Sequence, residues 1–206
     1  MRPEPAPQGP APGPLLLVCA LRAEQWALRA GMPGTADAAV LRTGMGQQRA
    51  GRSVRNALAQ RAYAPRALIY AGFGAAVRPG IRPGDILVAS EVRDALGERS
   101  ELPRCGALAD ALTRAGHTVH TGPLYTADRI VRGPQRTALH ADGVFGVDME
   151  TAAALRALPA EVAAGAVRVV VDTPEQELLR PGTLVHGLRA WRVLRAAAPV
   201  LAAWRP

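Results

Sequence analysis

Lysine is missing from this sequence: all 25 basic residues are arginine. Without an amine side chain there is no Schiff-base nucleophile and no phosphate-gripping P-loop, both of which require a lysine. Cysteine is nearly missing too. Cys19 and Cys105 are too few for a disulfide framework, and Cys19 lies inside an apolar run where a reduced core thiol is expected. Aromatic residues make up 4% of the chain and no basic run is interleaved with them, so no base-stacking platform forms and no nucleic-acid partner is expected. No stretch is long and apolar enough to cross a bilayer, and no signal-peptide pattern opens the chain, so a cytoplasmic protein is expected.

Further absences narrow the chemistry. His117, His120, His140 and His186 are not spaced with cysteine or carboxylate partners as a metal site requires, so no metal is expected. There is no Gly-x-Ser-x-Gly elbow for acyl transfer and no Gly-x-Gly-x-x-Gly after the first strand for a dinucleotide. The net charge of +8 comes with abundant alanine and arginine-only basicity, which reads as coding bias rather than an anion-binding surface.

What is present is an alternation of short apolar runs with helical segments. Residues 1–14 alternate proline with small residues and read as a disordered tail, leaving 15–206 as one domain with a sizeable core. Strands are predicted over 15–20, 39–43, 67–71, 85–90, 118–125 and 167–172, with helices near 21–28, 47–62, 107–115, 134–142 and 184–204 between and after them. Gly72 to Val77 reads as a small-residue turn, 91–104 as a polar loop and 174–182 as another loop. Strands alternating with helices predict an α/β fold, a three-layer α/β/α sandwich with a mixed, largely parallel central sheet. The last helix carries Arg189, Arg192 and Arg195 with tryptophans and is expected to cover the sheet; contact with an anionic membrane surface is the lesser alternative.

The stretch from Gly146 to Asp172 organises the rest. Val147-Asp148-Met149-Glu150 runs into helix formers, so a helix is predicted to start near Met149 with Glu150 in its first turn. Val167-Arg168-Val169-Val170-Val171-Asp172 reads as a buried strand ending at Asp172, and ligands of α/β sheets lie beyond strand C-termini. Glu24 occupies a similar strand-to-helix junction. Plainer roles stay open beside these: Glu24 and Glu150 can complement helix dipoles, and Asp172 can cap the turn at Thr173-Pro174. Gly44 and Gly46 would let backbone amides approach a ligand, or simply form a tight turn.

Laid in order, Glu24, Gly44-Met45-Gly46, Gly72 to Ala76, Pro83-Gly84-Asp85-Ile86, Val147-Asp148-Met149-Glu150 and Arg168 to Asp172 resemble the purine nucleoside phosphorylase and nucleosidase superfamily. The resemblance runs from about Leu15 to Asp172. It looks closest to methylthioadenosine/S-adenosylhomocysteine nucleosidases and, closer still, to the hopanoid-associated phosphorylase branch.

That resemblance implies cleavage of an N-glycosidic bond of a 5′-substituted adenosine. Asp172 would be the general acid at N7 of adenine, a task suited to a carboxyl with a raised pKa. Glu24 would activate the attacking water, Glu150 would accept from the ribose hydroxyls and Met149 would pack on the sugar. Ile130 and Val131 would flank the base, with Phe73, Gly72, Gly44 and Gly46 around it. No cofactor is implied, with inorganic phosphate as an optional co-substrate, and the partner is a small-molecule purine nucleoside on a homo-oligomer. Aspartate at 172 leans towards a 6-amino purine, because a carboxylate also accepts from the exocyclic amine. The sequence departs from the pattern at Val171, where nucleosidases usually carry a serine, at Phe73, where small residues are usual, and after Ser90-Glu91-Val92, which lacks the aromatic and histidine residues of methylthioadenosine nucleosidases. Arg42 and Thr43 are the candidates for phosphate contacts. Adenosylhopane is the best single substrate; a methylthioadenosine/S-adenosylhomocysteine nucleosidase and an inactive nucleoside-binding protein are the alternatives.

Overall fold

The structure, a computed structural model, describes residues 13–60, 65–173 and 183–206, the backbone alone for 183–186. The described residues form one eight-stranded mixed sheet and six helices.

The continuous apolar run after the tail becomes β1 (Gly13–Cys19), buried on both faces as such a run must be. Strand alternation then sorts its side chains. Leu15, Leu17 and Cys19 face α1 (Arg22–Gly31), α3 (Cys105–Arg114) and α6 (Thr183–Ala202), whereas Leu16 and Val18 face α2 (Gln47–Ala59) and α5 (Thr151–Leu155). Each fully buried leucine contributes roughly 1.5–3 kcal/mol, so both helical layers are held by the same strand. This is the three-layer arrangement expected.

β1 lies between β2 (Ala38–Arg42) and β3 (Pro65–Ala76), parallel to both. β3 then takes β8 (Ala163–Asp172) in parallel, and β8 meets β4 (Ile86–Asp94) antiparallel. β4 runs parallel to β6 (Val119–Thr126), β6 parallel to β7 (Gly146–Asp148), and β7 returns antiparallel to β3. The strands β3, β8, β4, β6 and β7 therefore close into a ring. The C-terminal ends of β1, β3 and β8 meet near the start of α1.

Several local expectations change. Gly72 to Ala76 is not a turn: β3 continues through it, paired to β8 with Gly72 opposite Arg168. The segment 91–104 is not a loop, because β4 extends to Asp94 and pairs with β5 (Arg99–Glu101) in a hairpin. β1 starts at Gly13, which pairs with Pro65, two residues before the predicted boundary. Helix α5 begins at Thr151, one residue past Glu150. α4 (Pro134–Ala141) forms where predicted. Residues 1–12 and the predicted loop 174–182 lie outside the described residues. The cysteines are free, and burial pushes the Cys19 thiol up to about 12, as expected of a core thiol.

Candidate active site

Glu24 sits in the first turn of α1, where Leu21 is the cap residue and has no side-chain acceptor to offer the helix. The carboxylate supplies what leucine cannot. Its Oε2 accepts from the amides of Leu21 at 2.7 Å and Ala20 at 2.9 Å, the acid half of a capping box. Its Oε1 accepts from the Phe73 amide at 2.7 Å, across on β3. Three bonds occupy most of the roughly four lone-pair sites of a carboxylate, which leaves about one for a ligand or water. Gly72 makes this approach possible: a Cβ there would stand 2.5 Å from Glu24 Oε1.

Glu150 is the cap residue of α5, and its Oε1 accepts from the Gly46 amide at 2.9 Å. The turn that aims this amide has Gly44 at φ +83 and Gly46 at φ +90, a left-handed conformation that favours glycine. Burial raises the pKa of Glu150. Arg168 and the Gly46 amide oppose that shift, and the Asp148 and Glu24 carboxylates add to it. Capping of α5 falls to Asp148, which accepts from the Thr151 amide at 3.2 Å and from the Thr126 hydroxyl at 2.6 Å.

Behind both glutamates lies Arg168, buried on β8. Its guanidinium donates to Asp148 and to the Thr151 hydroxyl and stands 4.6 Å from the centre of the Tyr70 ring. Burial disfavours its charge, but Asp148, Tyr70 and the two glutamates outweigh that and raise its pKa. Tyr70 passes the network on to Thr43, 3.1 Å from its hydroxyl.

Asp172 ends β8, as predicted, and is buried. Its carboxylate accepts from Nη2 of Arg136, a buried α4 residue whose Nε donates to the Val131 carbonyl at 3.2 Å. Sequence reasoning missed Arg136, which sits 36 residues from its partner. The one local signal is that α4 contains no acid, so a buried arginine there must find its counter-charge elsewhere.

Glu24, Phe73, Met149, Glu150, Val171 and Asp172 line one cavity of ≈ 400 Å³, together with Ile130, Val131 and Arg136. The wall is mostly apolar, with four acidic residues, Glu24, Asp148, Glu150 and Asp172, and two arginines, Arg129 and Arg136, among those lining it. Met45 and Ile130, 63% and 55% exposed, stand among the lining residues. Of the predicted site residues, Gly72 lies behind Glu24, and Gly44 and Gly46 form the turn that holds Glu150; none of these lines the cavity itself. Neither Arg42 nor Thr43, the candidates for phosphate contacts, is among the residues that line the cavity, and the Thr43 hydroxyl donates to the Gly44 carbonyl at 2.9 Å. Among the described residues no three His, Cys, Asp or Glu side chains gather as a metal site would need. His120 instead pairs with Asp85 at 2.9 Å, away from the cavity.

The fold is shared with 5′-methylthioadenosine/S-adenosylhomocysteine nucleosidase from Neisseria meningitidis, at a TM-score of 0.75 and 18% identity over 93% of this chain and 100% of that one. It is shared as well with the Streptococcus pneumoniae MTA/SAH nucleosidase (0.72, 21%, 93% and 100%) and with futalosine hydrolase of Helicobacter pylori (0.75, 14%, 89% and 94%). No match is found among curated protein sequences. The family model of the phosphorylase superfamily matches residues 19–197, most of the chain, so this protein belongs to the phosphorylase superfamily.

Proposed function

We propose that the protein cleaves the N-glycosidic bond of a 5′-substituted adenosine and releases adenine. The observation that carries this is the meeting of Glu24, Met149-Glu150 and Asp172 in one largely apolar cavity, brought there by three separate strand ends. As the C1′–N9 bond breaks, positive charge builds on the ribose and negative charge on the base. Asp172, paired as a carboxylate with Arg136 in the structure described, takes up a proton as the nucleoside binds and gives it to N7, and the Arg136 guanidinium stabilises the carboxylate left behind. It also positions the acid where Val171 has no hydroxyl to do so. Glu150, a carboxylate at its helix cap, accepts from the ribose diol, and Met149 packs on the sugar. Water adds to C1′ and its proton passes to the remaining acceptor site of Glu24.

Water is the nucleophile in this reading because neither phosphate candidate, Arg42 or Thr43, lines the cavity, and the Thr43 hydroxyl is engaged with backbone and Tyr70. The apolar wall and the exposed Met45 and Ile130 favour an apolar 5′ substituent, adenosylhopane being the best single candidate. A second reading, a methylthioadenosine/S-adenosylhomocysteine nucleosidase in the cytoplasm, is favoured by fold neighbours that carry that name.

The deciding experiment is adenine release from methylthioadenosine, S-adenosylhomocysteine and adenosylhopane, each with and without phosphate. Release is expected without phosphate, and Asp172→Asn is expected to lower kcat by about 10²- to 10⁴-fold. Unchanged release by Asp172→Asn would overturn the assignment. Adenosine binding with no release from any of the three would mean a nucleoside-binding protein without turnover.

A further inference from the structure

Two helices start at the mouth of this cavity and run away from it side by side. Leu21, just before α1, and Gly187, in the first turns of α6, both line the cavity. Further along, the rings of Trp26 and Trp191 lie 5.2 Å apart, and Gly31 packs against the backbone of Arg195, where an added Cβ would stand 1.9 Å from the carbonyl oxygen. Both chains advance in the same direction along the contact, so the helices are parallel.

Each presents an outward stripe at i, i+4, i+7. On α1 it is Arg22, Trp26 and Arg29; on α6 it is Leu188, Arg192 and Arg195, and all six are exposed. Trp26 is 67% exposed and Leu188 51%. The charge is of one sign. α6 contains no acidic residue, and the single acid of α1, Glu24, is turned inward to cap the helix and reach Phe73. Arg192 and Arg195 also line a groove of ≈ 430 Å³ between the helices, floored by Ala30 and Gly31.

We infer that this face docks on an anionic phospholipid bilayer. Guanidinium groups match phosphate oxygens in planar, bidentate geometry, and tryptophan flanked by arginine suits the level of lipid headgroups. Trp26 lies five residues beyond Leu21, about 7.5 Å along a helix, so docking brings the cavity mouth to the headgroup region. The surface stands on its own observations; its use in delivering a lipid-tailed nucleoside rests on the function proposed above.

The test is co-sedimentation of the full-length protein with phosphatidylcholine vesicles, with and without roughly one-third phosphatidylglycerol, at low and high salt. Binding to the anionic vesicles alone, weakened by salt, is the expected result. Removing two surface arginines weakens partition by roughly 25-fold, so Arg192→Glu/Arg195→Glu is expected to lose at least that much. Arg22→Glu/Arg29→Glu, on the other helix, is expected to do the same and serves if the first variant does not fold. Trp26→Ser is expected to weaken binding without changing its salt dependence. Equal binding to both vesicle types, no binding, or variants that bind like the parent would overturn the inference. Adenine release from soluble methylthioadenosine is measured on the same samples: its persistence in a protein that ignores vesicles removes the docking surface and leaves the proposed function standing.

Discussion

Glu150 shows how one side chain is tuned by its surroundings. Burial raises its pKa from 4.5, so the folded protein favours the protonated form more than the unfolded chain does. That contribution to stability is full below the ordinary glutamate value and is lost as pH rises through the raised one. Glu150→Gln, neutral throughout, is therefore expected to be more stable than the parent at pH near 7, the difference closing in acid, as urea unfolding at the two pH values would measure. The glutamine oxygen can still accept from the Gly46 amide. What it loses is a charged acceptor for the ribose diol, so KM is expected to rise about tenfold or more, a typical effect of losing a charge-assisted hydrogen bond. The same carboxylate should make KM rise in acid from a higher pH than an ordinary glutamate would. Glu24, Glu150 and Asp172 were legible in the sequence because each is an acid at the end of a strand or the start of a helix. Arg136 was not, because nothing near it in the chain names its partner.

At the scale of the element, glycine misled. Gly72-Phe73-Gly74 has the composition of a turn, yet β3 runs straight through it, in register with β8. The glycines are there for close approach: Gly72 admits the Glu24 carboxylate, and a Cβ at Gly74 would stand 3.0 Å from Arg168 Cβ. Gly72→Ala is expected to cost about 1–3 kcal/mol by overpacking and to displace Glu24. Thermal unfolding would read the first effect and kcat the second, and a loss of activity with unchanged stability would point to Glu24 alone. The hairpin of β4 and β5 was missed for a related reason. Its strands are polar, and the partner that makes Arg99–Glu101 a strand is supplied by Glu91 to Arg93, several residues away.

For the whole molecule, Arg168 is the point where layers join. It lies on β8, faces Tyr70 of β3, and donates to Asp148 of β7 and Thr151 of α5, so one buried cation ties three strands of the closed ring to a helix. Arg168→Met would leave Asp148 as a buried charge without its guanidinium, a loss of about 3–5 kcal/mol from a domain whose total stability is of the order of 5–15. Urea unfolding would measure it. Adding Asp148→Asn should recover part of the loss, because the uncompensated charge and not the missing side chain is the larger cost; no recovery would contradict that account.

By itself the sequence determined the strands that are apolar on both faces, the helices between them, the three-layer class, and acids at strand and helix ends, all of which depend on neighbours a few residues apart. Tertiary structure decided the rest. It determined that the five strands close into a ring, that Glu24 reaches across to Phe73, that Arg136 meets Asp172, and that Trp26 and Trp191 share a basic face. Each of these joins residues tens of positions apart in the chain, where periodicity and spacing carry no information and only packing chooses the partner.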